Sequence, residues 1–219
     1  MCYNVHNFVG MDNRVDYQRI ADVINDVAPD VVAIQEADSA TQRSEGVYTL
    51  KELADRTSMI PIYAPAIDYQ GGKYGVGILS KDKPLSVRQI PLPGREEMRV
   101  LLIVEFENYV FACTHFSLDS EDRLASVAII NEAMTGITKP LFLAGDMNSA
   151  PDSPSQVALR QTFDVLSDVT QHTFPVNPTR CIDYIYQYRN GKDCSVLNRQ
   201  VINETMASDH LPLFVDIKY

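Results

Sequence analysis

Residues 140–151 read PLFLAGDMNSAP. Leu141, Phe142, Leu143 and Ala144 form a wholly apolar run without alternation, the pattern of a strand buried on both faces. The run stops at Gly145, and Asp146 and Asn148 follow with one residue between them. Along an extended backbone, side chains two apart point the same way. A rigid strand would therefore carry one carboxylate and one carboxamide, side by side, to the edge of a sheet. Gly-Asp and Asn-Ser are also ordinary turn chemistry, so an Asx-turn is the competing reading.

The rest of the chain sets the context for that stretch. Its 219 residues can bury a large core as one unit. No repeat, low-complexity tract or composition shift divides it, so a single domain over 1–219 is expected. No apolar run is long enough to span a bilayer as a helix. The net charge is −10, from 29 acids and 19 bases. That opposes unaided binding to long duplex DNA, unless a divalent metal supplies positive charge locally. Trp is absent, which leaves 11 Tyr and 8 Phe as stacking groups. Cys2, Cys113, Cys181 and Cys194 form no CxxC pair, so a zinc site of that kind is not expected. Cys113 reads as a small core residue. The chain opens at what reads as mid-strand, with no n-region or h-region. Earlier removal of an export signal fits that opening, and the compartment stays open. A monomer is the expected state.

Read in order, Cys2 to Phe8 is expected as a strand carrying Asn4 and His6. Tyr17, Ile20, Ile24 and Val27 predict an amphipathic helix that Pro29 ends. Val31 to Ile34 is a second fully apolar run, and with the first strand and helix it makes a layered α/β unit. Val47–Arg56 is expected as helix, Ile60–Ala64 as a short strand and Pro65–Lys73 as a loop. Tyr74–Ser80, Leu85–Ile90, Met98–Phe106 and Tyr109–Phe116 are predicted strands, and the short connections among the last of them imply antiparallel neighbours. Asp119 or Ser120 would cap a helix whose apolar face is Val127, Ile130, Met134 and Ile137. A helix around Ser155–Thr162 and an irregular Asp164–Pro178 follow. Tyr184–Tyr188 and Ser195–Ile202 read as a hairpin about Asn190-Gly191, with Cys194 opposite Gln187. Leu213–Lys218 is the last strand.

Several polar residues share one context: each lies at or beside the end of an apolar run. They are Asn4, Glu36, His115, Asp146, Asn148, Asp183, Asp209 and His210. One such residue is ordinarily the start of a loop, a capping acid or a satisfied core histidine. Six such places, bearing only Asn, Glu, His and Asp, supply the ligands and proton carriers that phosphoryl chemistry uses.

Together the motifs resemble the endonuclease/exonuclease/phosphatase superfamily, over almost the whole length and in the family's order. YNVH corresponds to the first strand and gives Asn4. PDVVAIQE gives the metal-binding acid, Glu36. YGVGILS matches a family strand. THF with a downstream Arg gives His115 and Arg123, GDMN gives Asp146 and Asn148, RCIDYIY gives Asp183, and SDHLP gives Asp209 and His210. One departure is His6, where some nucleases of the family carry a second acid. His6 is therefore expected as a supporting or packing histidine, with fewer acids on the metal.

The resemblance implies an α/β fold, a four-layer α/β/β/α sandwich of two packed mixed sheets flanked by helices, with the site at one end. It also implies a Mg²⁺- or Mn²⁺-dependent hydrolase of phosphate esters, a phosphodiesterase first. Glu36, Asn4 and Asp209 would hold the metal. Asp146 would accept the proton of water, and Asn148 would orient that water or a phosphate oxygen. His210 paired with Asp183, and His115, would face the phosphate. Arg123 and Tyr74 are the candidate substrate contacts, each with a purely structural alternative. His172 is reached by no motif. Few bases lie near the motifs: Lys73, Arg123 and Arg180, with Lys81, Lys83, Arg95 and Arg99 expected farther off. The acidic balance tilts the substrate toward a small or lipid-derived phosphate ester. A DNA or RNA nuclease is the alternative, and a non-catalytic binding module on the same fold is the competing class.

Overall fold

The structure is a computed structural model that describes residues 1–176 and 178–219. One sheet contains β1 (Cys2–Asn4), β2 (Val31–Ser39), β3 (Ile60–Tyr69), β4 (Gly72–Ser80), β11 (Ser195–Val201) and β12 (Leu213–Lys218). Its strand order is β11-β12-β1-β2-β4-β3. The other contains β5 (Ser86–Leu92), β6 (Arg99–Glu105), β7 (Val110–His115), β8 (Leu141–Asp146), β9 (Phe163–Val165) and β10 (Asp183–Tyr188), ordered β5-β6-β7-β8-β10-β9. Both sheets are mixed. β1 runs parallel to β2 and β7 parallel to β8, while the remaining neighbours are antiparallel.

Period-two burial gives each sheet two apolar faces, and the clusters show what covers them. Cys2, Ala33 and Ile78 of the first sheet meet Leu102, Phe111, Cys113, Phe142 and Ala144 of the second in one core. The first sheet's other face, with Tyr3, Val32 and Ile34, packs on Ile20 and Ile24 of α1 (Tyr17–Val27) and Leu50 and Leu53 of α2 (Thr49–Thr57). The second sheet's outer face, with Leu101, Leu141 and Leu143, packs on Val127, Ile130 and Met134 of α3 (Ser120–Met134) and Leu159 of α4 (Pro154–Leu159). Helix, sheet, sheet and helix make the four layers that the resemblance implied. The helix starts follow side-chain capping: Asp16 accepts the N–H groups of Gln18 and Arg19, and Asp119 those of Glu121 and Asp122.

Four local expectations are corrected. β1 ends at Asn4, and His6, Asn7 and Phe8 form a turn with φ of 46°, 52° and 64°. The turn sends Phe8 into the core beneath α1, its ring 4.8 Å from that of Tyr17. β3 runs on to Tyr69, through Pro65 and into the expected loop. It is an edge strand with a register shift between Pro65 and Ile67, a setting that tolerates a residue without N–H. The segment expected to be irregular, Asp164–Pro178, begins inside β9, which pairs with β10, and its residue 177 lies outside the described residues. Finally, β10 and β11 are not a hairpin, because they belong to different sheets. The Asn190-Gly191 turn exists, with Gly191 at φ 75°. However, the Asn190 amide is spent on the carbonyls of Ile137 and Lys139, 3.0 and 2.7 Å away. All four cysteines are free, and the Cys194 thiol donates to Gln187 Oε1 at 2.8 Å.

Two registers deliver the chemistry. His115 lies beside Asp146 across β7 and β8, and Asp183 lies opposite Asp146 across β8 and β10. Gly145 pairs with Thr114, and a Cβ there would strike the Thr114 carbonyl oxygen. Gly145→Ala should therefore cost about 1–3 kcal/mol by overpacking, read as a lower urea midpoint. An unchanged midpoint would show that the two strands can separate without loss.

Candidate active site

The Asp146 carboxylate ends β8 and is 2% exposed. Its Oδ2 accepts from the Asn4 amide at 3.0 Å and lies 3.4 Å from His115 Nε2 and 3.6 Å from His210 Nε2. Its Oδ1 accepts the N–H of Asn148 at 2.9 Å. That bond closes an Asx-turn, so the turn reading and the site reading hold together at one residue. Asn148 is consequently not beside Asp146 on a strand face. It lies past the strand end at φ 47°, and its amide donates to the Phe116 carbonyl at 2.9 Å.

His210 is clamped from both ends. Its Nδ1 lies 2.9 Å from Asp183 Oδ2, and its backbone N–H donates to Ser208, whose hydroxyl in turn reaches the Asn4 carbonyl at 2.8 Å. The Thr173 hydroxyl donates to the same Asp183 oxygen at 2.6 Å. The Phe174 ring meets the imidazole edge-on at 4.9 Å, and the Arg180 guanidinium covers that ring at 4.7 Å. Asp183 Oδ1 is buried and has no hydrogen-bond partner among the described residues.

Glu36 comes from the other sheet, at a bulge where β2 slips register between Ile34 and Ala37 and its own φ is 62°. Its two oxygens accept from Asn4 at 3.1 Å and Asn7 at 3.2 Å. One amide, that of Asn4, therefore cross-links Glu36 to Asp146. Asn4 was expected as an inner or water-mediated metal ligand, and here it serves as a hydrogen-bonding bridge. Its Oδ1 accepts the His6 N–H at 3.1 Å, and its nitrogen faces the carboxylates. Asp209 stands next to His210 with Oδ1 3.8 Å from His6 Nδ1, which itself lies 3.0 Å from the Val9 carbonyl.

Arg123 does not join this group: it donates to the carbonyls of Ser117 and Leu118, at 3.1 and 2.6 Å. Tyr74 is buried and lines a small void with Arg99 and His115. Arg99, expected to lie farther off, is 3.2 Å from His115 Nδ1. Asn7 and Thr173 were missed altogether, since neither follows an apolar run. Arg43 was also missed. It pairs with Asp38 at 2.6 Å, lies over the Tyr69 ring and donates to Asn7 Oδ1.

Burial sets the electrostatics. It raises the Asp146 carboxyl, and the facing Asp183 raises it further, to about 7, against His210 and the amides of Asn148 and Asn4. Burial would lower His210, but Asp183 and Asp146 outweigh it and push the imidazole up to about 10. His115 falls well below its ordinary value, through burial and then Arg99 and His210. Asp146, Asp183 and His210 each bring a ligand-type atom within 4.8 Å of the others. A hard cation suits oxygen donors of this kind, and the carboxylates of Glu36 and Asp146 meet at the shared Asn4 amide.

The chain matches the model of the Endonuclease/Exonuclease/phosphatase family over residues 1–210. No curated protein matches the sequence. Among solved structures, an endonuclease/exonuclease/phosphatase from Beutenbergia cavernae is 22% identical with a TM-score of 0.77, covering 99% of this chain and 70% of that one. The mannosyl-6-phosphatase of Bacteroides thetaiotaomicron is 17% identical, with a TM-score of 0.78 over 100% of this chain and 98% of that one. TDP2 of D. rerio, humanised by 14 mutations, is 18% identical, with a TM-score of 0.77 over 100% and 97%.

The His210 ring should stay protonated through neutral pH and lose its proton near 10. A pKa raised on folding stabilises fully below the unfolded value and is lost as pH rises through the folded one. Imidazole NMR titration checks this, and Asp183→Asn should bring the midpoint down. A His210 midpoint near 6.5 in the parent protein would contradict the pairing.

Proposed function

The chain belongs to the endonuclease/exonuclease/phosphatase family, and from that premise we propose that it is a divalent-metal-dependent hydrolase of phosphate esters, foremost a phosphodiesterase. The observation that carries this reading is the meeting of Asp146 with Asn4, His115 and His210 in one buried cluster.

Mg²⁺ or Mn²⁺, held by Glu36 with Asp209, would supply positive charge for the phosphate and for the charge that develops on it. The remaining chemistry belongs to side chains. Asp146 takes a proton from water, and the water oxygen bonds to phosphorus as the bond to the leaving-group oxygen breaks. A carboxylate whose pKa lies near 7 suits this role, since a base works best when its pKa is close to the working pH. His210, kept cationic by Asp183, and His115 donate to phosphate oxygens and hold them through the transition state. Asn4 keeps Glu36 and Asp146 at a fixed separation. The Asn148 amide nitrogen donates to the Phe116 carbonyl, so its oxygen and its second amide hydrogen are what is left to orient the water or a phosphate oxygen. Arg123 supports the Ser117–Leu118 loop rather than the substrate.

A small or lipid-derived phosphate ester fits the site better than long nucleic acid. The cations near it are mostly neutralised: Arg43 by Asp38, Arg99 by Glu96 and Glu97, Arg95 by Asp119, and Lys73 by Asp68. Little free positive charge remains to track a polyanion.

Asp146→Asn should lower kcat on a generic aryl phosphodiester by on the order of 10²–10⁴-fold, with the fold retained by circular dichroism. The parent rate should fall as pH drops through about 7, where Asp146 gains a proton, and fall again above about 10, where His210 loses one. Full activity in the variant would remove the mechanism. Chelation should abolish turnover and Mg²⁺ or Mn²⁺ restore it, whereas activity that persists after chelation would exclude the metal.

A further inference from the structure

Arg99 opens β6 as a charged residue at the head of an apolar strand, and it is 5% exposed. Its guanidinium is pinned by Glu97 Oε1 at 2.8 Å and Glu96 Oε1 at 3.1 Å. Glu96 is itself fixed by the Ser117 hydroxyl at 2.8 Å and the Leu118 N–H at 2.8 Å. So held, the guanidinium faces His115 Nδ1 at 3.2 Å. A guanidinium offers donors only and keeps its proton in proteins. The ring nitrogen facing it must therefore accept, and Nδ1 carries the lone pair. The hydrogen is then on Nε2, the nitrogen that faces the Asp146 carboxylate at 3.4 Å. The Asp146 contact agrees with this tautomer but is the longer of the two, so the Arg99 contact is the one that sets it.

His210 is arranged the other way. Its Nδ1 faces Asp183 and its Nε2 faces Asp146, so both nitrogens meet carboxylates. One base thus stands between two histidines of different form, a cation at His210 and a neutral donor at His115.

We propose that Arg99 is a positioning residue that locks His115 as the neutral Nε2–H tautomer, with its hydrogen directed at the reacting centre. With the hydrogen on Nδ1, the ring would turn a lone pair toward Asp146 and toward any phosphate oxygen beside it, and both contacts would repel. The consequence for turnover rests on the hydrolase reading above, whereas the tautomer itself does not.

The test is a long-range ¹H–¹⁵N imidazole spectrum of the protein at neutral pH. His115 should show a protonated Nε2 and an unprotonated Nδ1. Arg99→Lys, which keeps a donor-only cation, should preserve that pattern. Arg99→Met should lose it, and kcat should drop by up to about 10²-fold with KM little changed. A parent protein with His115 protonated on Nδ1 would overturn the proposal, as would an Arg99→Met variant with the parent tautomer. If Arg99→Met fails to fold, the parent and Arg99→Lys spectra still decide. A protein with His115 in the Nε2–H form that hydrolyses no phosphate ester would sink the hydrolase reading and leave the Arg99 assignment standing.

Discussion

The Asp146 carboxylate lies almost wholly out of water, and nitrogens of Asn4, His115 and His210 surround one of its oxygens. A buried charge is costly unless it is paired and hydrogen-bonded. The fold has to bring those nitrogens to one point, and they come from β1, β7 and the segment before β12. Asn4 and Asp146 are 142 residues apart in sequence and sit in different sheets. The Asn4 amide is thus a bond between the two sheets at the end where the chemistry gathers. The same amide nitrogen reaches Glu36, so Glu36 and the candidate base are spaced by a single side chain.

That constraint has electrostatic consequences. Two acids, Asp146 and Asp183, face each other across β8 and β10 and would repel if both were ionised without company. His210 lies between them and takes the positive charge. His115 faces a guanidinium on its far side, so it cannot carry the same charge at comparable cost. A nearly symmetric placement of two imidazoles on one carboxylate is made asymmetric by what stands behind each ring.

Much of this could be read in the sequence. Fully apolar runs ending in a polar residue marked β2, β7 and β8, and the polar residue at each end proved to face the cluster, as Glu36, His115 and Asp146 do. The helix caps at Asp119 and the break at Pro29 were legible because capping and proline act locally. What was not legible depends on contacts between distant segments. Whether Asn190-Gly191 closes a hairpin is decided by which sheet receives the next strand, and short-range turn chemistry carries no record of that. The positive φ of Asn148 goes with its amide's bond to the Phe116 carbonyl, and that of residues 6–8 goes with the burial of Phe8 in the α1 core, both contacts with segments distant in sequence. Arg99 looked remote because a charged residue opening a strand is normally solvated. Only the meeting of β6 with β7 reveals that it is buried behind His115.

The central claim is that Glu36, Asp146, Asn148, Asp183 and His210, scattered along the chain, share one pocket for a cation and a phosphate. A crystal structure soaked with Mn²⁺ and inorganic phosphate tests it most directly, because Mn²⁺ scatters anomalously. The account predicts an anomalous peak against Glu36, with phosphate oxygens between His115 and His210. Phosphate bound elsewhere, or Mn²⁺ with no contact to Glu36, would contradict it.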